Sequence, residues 1–308
     1  MFDSFNFTLD SSQFDYRHIQ QIFEDKMNFK KKIDYVNGSS LIVNYKNYAF
    51  SLSEKSLKAT GSLTKLYYGN NVENLNFSQV QEALMEFETV FEISFDNATV
   101  TRVDIAASIS MSHPVKMFLD LLVTPANYEP TVRNTSKLFE GKIQDLYFYN
   151  KVAETRIKDV VSYKKYKSDH ILKYEIRFEN GLANKLGLND STFKNFYDVK
   201  TYETLISKWY QGYKDVPKLT MAEQKCYDVS SLTAIKNSVF EDYVNITGGL
   251  EMFQAKVYQQ KPKKNVKYLF NNFLNLLPKA ESISPTLKSE LDYMIDSIYQ
   301  NEMNHLTA

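Results

Sequence analysis

The sequence predicts an α+β fold, with an antiparallel sheet and flanking helices over residues 1–188, followed by a mostly helical region over 189–308. Three observations predict it. Several short stretches of the first half alternate apolar and polar residues with the period of a strand. After about residue 188 the apolar spacing moves to near 3.6, the period of a helix. Finally, 22 Tyr and 21 Phe stand against only 9 Gly, a composition that suits strands carrying large side chains. No Gly-x-Gly-x-x-Gly or Walker loop is present to cradle a nucleotide.

Taken along the chain, residues 2–9 alternate, with Phe2, Ser4, Asn6 and Thr8 against Asp3, Phe5, Phe7 and Leu9, and read as a first strand. Ser11 and Ser12 offer an N-cap to a helix whose apolar positions are Phe14, Ile19, Ile22, Phe23 and Met27. Strand-like stretches follow at 41–45, 48–52 and 62–68. Ser78-Gln-Val-Gln81 has the spacing of a capping box, ahead of a helix face formed by Val80, Leu84, Phe87 and Phe91. Strands are predicted again near 100–109, 132–140, 143–151 and 170–179, with a helix over 114–123 started by Pro114. Beyond the boundary near 188–200, Thr220-Met-Ala-Glu223 is a further capping box and Ser284-Pro285 a further helix start. The basic stretch KPKKNVK, Lys261 to Lys267, falls between helices.

Charge narrows the function classes. Lys+Arg and Asp+Glu both number 37, so the formal net charge is zero and any phosphate contact must come from local clustering. The single Cys226 forms no internal disulfide, and the four His are not spaced as a metal pair. The acidic, alternating opening MFDSFNFTLD does not resemble a signal peptide, and no apolar run approaches a membrane span. A cytoplasmic protein without a membrane partner is expected.

Three strands carry a polar face. In the stretch TRVDIAASI, Arg102, Asp104 and Ser108 oppose Val103, Ile105, Ala107 and Ile109. In IQDLYFYNK, Asp145, Tyr147, Tyr149 and Lys151 oppose Leu146 and Phe148; in ILKYEIRFE, Lys173, Glu175, Arg177 and Glu179 oppose Leu172, Tyr174, Ile176 and Phe178. This pattern has two readings. One is the wet side of an antiparallel sheet with ordinary cross-strand ion pairs. The other is an active site, in which two carboxylates bind Mg²⁺ or Mn²⁺, a tyrosine is the nucleophile and a cation meets a phosphate. Between Arg156 and Lys173, Lys164, Lys165 and Lys167 add to a local cationic excess with Tyr163 and Tyr166 interleaved, which suits either a flexible loop on a DNA backbone or a solvated hairpin loop. Trp209, Tyr210 and Tyr213 have the spacing of a helix face and suit core packing better than base stacking.

Several segments, in order, resemble the phage and plasmid replication proteins of the gene II/X type, relatives of the rolling-circle initiators grouped as Rep_trans. They are MFDSFNF, LKATGSLTKLYYGNN with FSQVQEALMEFE, VTRVDIAAS, LYFYNKVAE and ILKYEIRFENGLANKLG, which together run over residues 1–188. The resemblance implies a Rep-like nuclease domain that nicks one strand of double-stranded origin DNA. The protein would stay joined to the 5′ phosphate through tyrosine and leave a 3′ hydroxyl as primer. It implies Asp104 and Glu175 as ligands of Mg²⁺ or Mn²⁺, Tyr149 as nucleophile with Tyr147 as alternative or second nucleophile, and Lys151 beside the phosphate. Arg102, Lys65, Lys164, Lys165, Lys167, Lys173 and Arg177 would contact DNA, including the nicked single strand. The expected partners extend to a host helicase and polymerase, and to further copies of the chain. Two departures stand out: the chain lacks the His-hydrophobic-His metal motif of many initiators, and it has Thr64 where relatives often read His. The alternatives are a non-catalytic sequence-specific DNA-binding protein and a relaxase-like mobilisation protein.

Overall fold

The computed structural model describes residues 1–35, 38–218 and 286–307. Ten strands form one sheet in the order β2-β3-β4-β5-β1-β6-β10-β9-β8-β7, and every described pairing is antiparallel. The strands are β1 (Phe2–Asp10), β2 (Asn28–Tyr35), β3 (Gly38–Tyr45), β4 (Tyr48–Leu52), β5 (Ser56–Thr60), β6 (Thr99–Ser110), β7 (Glu129–Arg133), β8 (Ser136–Glu140), β9 (Asp145–Asn150) and β10 (Ile171–Glu179). The helices are α1 (Tyr16–Lys26), α2 (Leu63–Tyr68), α3 (Phe77–Phe91), α4 (Val115–Leu121), α5 (Lys151–Lys158), α6 (Val160–Tyr166), α7 (Leu182–Leu186), α8 (Val199–Lys214) and α9 (Thr286–Thr307). The predicted α+β class is present, and the described residues of the C-terminal region are mostly helical.

The core lies on one face of the sheet, because alternation sends the large apolar residues of each strand to the same side. Phe7 meets Phe87 of α3 at 5.4 Å between ring centroids, Phe50 meets Phe91 at 4.6 Å, and Tyr174 meets Trp209 of α8 at 5.1 Å. Helix α8 comes close to the strands because Gly212 has no side chain: a Cβ there would lie 2.9 Å from the Tyr174 hydroxyl and 3.0 Å from Ile176. Trp209 and Tyr213 are fully buried, in keeping with the core reading of that helix face.

Helix α9 joins the same apolar cluster through Leu287, Leu291 and Ile295. Its acidic side chains accept from tyrosines of α8: Tyr202 donates to Glu302 at 2.7 Å, Tyr210 to Asp296 at 2.9 Å and Tyr213 to Asp292 at 2.6 Å. The capping box at 220–223, Cys226, the basic stretch at 261–267 and the Ser284-Pro285 start lie outside the described residues.

Several predicted elements change. The alternation of β1 breaks at its start: Phe2 faces Ile105 but Phe5 faces Val103, so three residues span two and the bulge moves Asp3 off the apolar face. Residues 63–68 are helix rather than strand, because Ser62 caps Lys65 N–H and Gly69 ends the turn at a φ of 74°. Helix α3 starts ahead of the predicted capping box, with Asn76 and Gln79 exchanging caps. The predicted strand over 132–140 is β8 from Ser136 onward, with residues 132–133 ending β7 and residues 134 and 135 forming the tight turn between the two. The expected strand over 143–151 stops at Asn150, whose side chain caps Ala153 N–H and starts α5 at Lys151. The segment after Arg156, expected as a loop, is the rest of α5 and all of α6. Asp159 caps Ser162 there, and Arg156 and Lys158 stand at the favourable end of the α5 dipole.

Candidate active site

The polar residues of β6, β9 and β10 gather on the face opposite the core, as predicted. Register fixes their positions. Arg177 faces Asp104 on β6 and Asp145 on β9, Glu175 faces Ala106 and Tyr147, and Lys173 faces Ser108 and Tyr149. This face is not the wet side of a sheet at its centre. Asp104, Lys151, Lys173 and Glu175 are buried, with Asp104 and Lys151 at zero exposure. Helices α5 and α6 and the segment after α2 cover it: Lys173 donates to Asn71 O at 3.2 Å and Tyr166 to Glu73 at 2.6 Å.

Burying this many charges is costly unless each finds a partner. Arg102 donates through Nε to both oxygens of Asp104, at 2.9 and 3.1 Å, and through Nη1 reaches Glu179 at 2.9 Å. Arg177 donates to Glu175 Oε1 at 2.9 Å, while its Nε lies 3.7 Å from Asp104 and makes no hydrogen bond. Lys173 donates to Asp3 at 2.6 Å, and Lys151 pairs with Glu154. The Tyr149 hydroxyl donates to Glu175 Oε2 at a long 3.5 Å, its ring lies 4.6 Å from that of Tyr147, and the Lys151 ammonium stands 5.5 Å from the Tyr149 ring centre.

These surroundings set the protonation states. Burial and then the Glu175 charge push Asp104 up to about 7 against the pull of Arg102. Burial and then Lys173 bring Lys151 down to about 8. Burial pushes Asp3 up, but Lys173 and Lys151 outweigh it and hold the carboxyl below its usual range. Burial and the Glu175 charge hold Tyr149 well above the ordinary phenol value, so it rests protonated.

Among the described residues, no three His, Cys, Asp or Glu side chains form a ready cage for a metal ion. The donor chemistry nevertheless fits a hard dication. Asp104 and Glu175 are two buried carboxylates; burial first and their mutual repulsion second raise Asp104, and a cation replacing the Arg102 contact would relieve both.

The structure thus brings together Tyr147, Tyr149, Lys151, Asp104, Glu175, Arg102, Lys173 and Arg177. It places Lys164, Lys165 and Lys167 apart from them, exposed on and after α6, and Lys65 half-buried on α2. Lys173 is an interior ion-pair partner rather than a surface cation. Sequence reasoning missed Asp3 and Glu154. The bulge at Asp3 hid the first; the position of Glu154 three residues after Lys151 on one helix was the available signal for the second.

The profile of a phage protein family, described as the N-terminal part of the gene II replication-associated protein, matches residues 1–198. The chain belongs to this family. The match takes in all ten strands and the whole polar face of this gene II-type protein. No curated protein matches the chain significantly. Among the described residues of this gene II-type chain, no helix is long and apolar enough to cross a membrane. Thr64, the departure noted in the sequence, is buried and donates its hydroxyl to Phe2 O at 3.1 Å, tying α2 to β1.

Proposed function

We propose that this gene II-type protein initiates rolling-circle replication by nicking one strand of origin DNA through a covalent tyrosine linkage. The observation that carries the reading is the buried group Tyr149–Glu175–Asp104–Lys151 on one sheet face, in a chain whose family is replication-associated. In the reaction, the Tyr149 oxygen bonds to the scissile phosphorus, the bond from phosphorus to the 3′ oxygen breaks, and that oxygen leaves as a 3′ hydroxyl after taking a proton. Glu175 is the acceptor nearest the phenol proton. Lys151, with a pKa lowered to about 8, would neutralise the phosphate and return a proton to the leaving oxygen. The Arg177 Nε, which has no hydrogen-bond partner among the described residues, would be a donor for a phosphate oxygen. Asp104 and Glu175 would hold Mg²⁺ or Mn²⁺, which when bound supplies Lewis-acid polarisation of the phosphate. The product strand stays on Tyr149, with Tyr147 beside it as a second acceptor for strand transfer.

One observation favours a second reading, a DNA-binding protein without catalysis: the Arg102–Asp104 pair already satisfies the carboxylate that a metal would need. The two readings part in one experiment, in which supercoiled DNA carrying the replicon's origin is incubated with Mn²⁺ or Mg²⁺, then chelator, and run on a denaturing gel. A nick with protein on its 5′ end, lost in chelator and in Tyr149→Phe, is expected; origin binding without a nick under either metal supports the second reading and overturns the first.

A further inference from the structure

The joint between α5 and α6 exposes three apolar side chains within five residues: Ile157 is 85% exposed, Val160 57% and Val161 81%. Single exposed aliphatics are ordinary, but a cluster is a candidate contact surface. This cluster is a ridge between two cationic grooves. On one side, a cavity of about 600 Å³ between α4, the β7–β8 turn and α5–α6 is lined by Lys116, Arg156, Lys167 and His170, with Tyr163 and Ile157 itself. On the other, a cavity of about 440 Å³ is lined by Lys65, Lys158 and Lys165, with Tyr68, Tyr166 and Val161. One carboxylate lines each groove, Asp169 in the first and Asp159 in the second. Three of the cations are also paired with carboxylates beyond the lining: Lys116 with Asp120 at 2.8 Å, Lys158 with Glu154 at 2.9 Å and Lys165 with Glu73 at 3.5 Å. Asp159 is spent on the backbone and hydroxyl of Ser162, at 3.1 and 2.7 Å, and Asp169 accepts from its neighbour Ser168 at 3.5 Å.

We infer that this ridge is a strand-separating wedge whose occupant is a DNA junction, with one strand passing into each cationic groove. The inference rests on the proposed action on origin DNA. Apolar side chains pushed between base steps unstack them. Cations attract the diverging backbones, and a tyrosine in each groove offers a stacking platform for an unpaired base. A second copy docking ridge to ridge would set these cations against one another, so charge favours a polyanion. The position fits the chemistry: α5 starts at Lys151, two residues after Tyr149, and its last turn carries Ile157 into the ridge, over a helix length of about 12 Å at the helical rise. A strand must leave the duplex before its phosphate reaches the buried Tyr149, and the wedge supplies that step.

The test uses three oligonucleotides of one sequence, a blunt duplex, a fork with 2-aminopurine at its junction, and a single strand, with binding read by fluorescence anisotropy. At about 1–3 kcal/mol per stacked base, wild-type protein is expected to prefer the fork over the blunt duplex by about tenfold or more and to raise the 2-aminopurine emission. Ile157→Ser/Val161→Ser, both at exposed positions and checked for an unchanged melting temperature, should bring the preference to within about threefold and abolish the emission rise. A double variant that keeps both the preference and the emission rise overturns the wedge alone. A wild-type protein that binds none of the three DNAs overturns the wedge and the proposed function together. One that binds and unstacks the fork, yet never nicks, overturns only the proposed chemistry.

Discussion

Lys173 and Asp3, 170 residues apart in the chain, meet at 2.6 Å with both side chains almost wholly removed from solvent. The contact ties β1 to β10 across β6, beneath the candidate nucleophile. It is held by Ser62, which donates to the other Asp3 oxygen at 2.8 Å. Its first role is to make burial of a lysine beside Lys151 tolerable.

Replacing Asp3 by Ala leaves the Lys173 charge unpaired, which for a buried pair costs about 3–5 kcal/mol. Urea denaturation should show this loss, and the double variant Asp3→Ala/Lys173→Met should recover most of it. An equal loss in both variants would mean that the pair is not the stabilising element.

Tyr149→Phe should lower nicking by on the order of 10³-fold or more, the size of losing a nucleophile, while origin binding changes little. Tyr147→Phe should retain first-strand nicking and lose only strand transfer. Reversed effects would assign the nucleophile to Tyr147.

The pH dependence of stability should carry the signature of Asp104. Its pKa is raised from the ordinary 3.8 to about 7, so the folded state holds this proton more tightly than the unfolded state. Its contribution is fully present below about pH 4 and is lost as pH rises toward 7. In chelator, Asp104→Asn should flatten the stability profile over that window. An unchanged slope would show that Asp104 is not the group responsible.

On the proposed mechanism, Lys151 should set the alkaline side of nicking. Its pKa is lowered from 10.5 to about 8, so the ammonium is lost as pH passes 8, and nicking should fall there. Lys151→Arg, charged throughout, should move this limb upward by more than one unit even if the maximal rate drops. A limb that stays near pH 8 in that variant belongs to another group.

Helix α9 is part of the core through Leu291 at zero exposure. Leu291→Ala should cost about 2–5 kcal/mol, measured by thermal or urea unfolding. A change below about 1 kcal/mol would show α9 to be loosely docked.

The polar faces of β6, β9 and β10 were legible because strand alternation is strict there, and alternation is all that is needed to put Asp104, Tyr149 and Glu175 on one side. Burial of that face was not legible, since it depends on α5, α6 and the segment after α2 folding over it. Asp3 was hidden by a bulge, which shifts the period by one residue without a sequence marker. Helix α6, VVSYKKY, has β-branched residues and no helical apolar period, so its capping by Asp159 and its packing decide its state. Residues 63–68 misled for a related reason: a six-residue helix shows too few turns to separate the two periods.

The place of β1 in the middle of the sheet has a consequence for biosynthesis. Its ladder partners are β5 and β6, and β6 ends at residue 110. On a ribosome adding about 5–20 residues per second, β5 is made well before β6, so Phe2, Phe5 and Phe7 wait several seconds with the β6 edge of their strand still open. A nascent chain in that state is a natural client for a chaperone, and low growth temperature during expression should raise the yield of native protein.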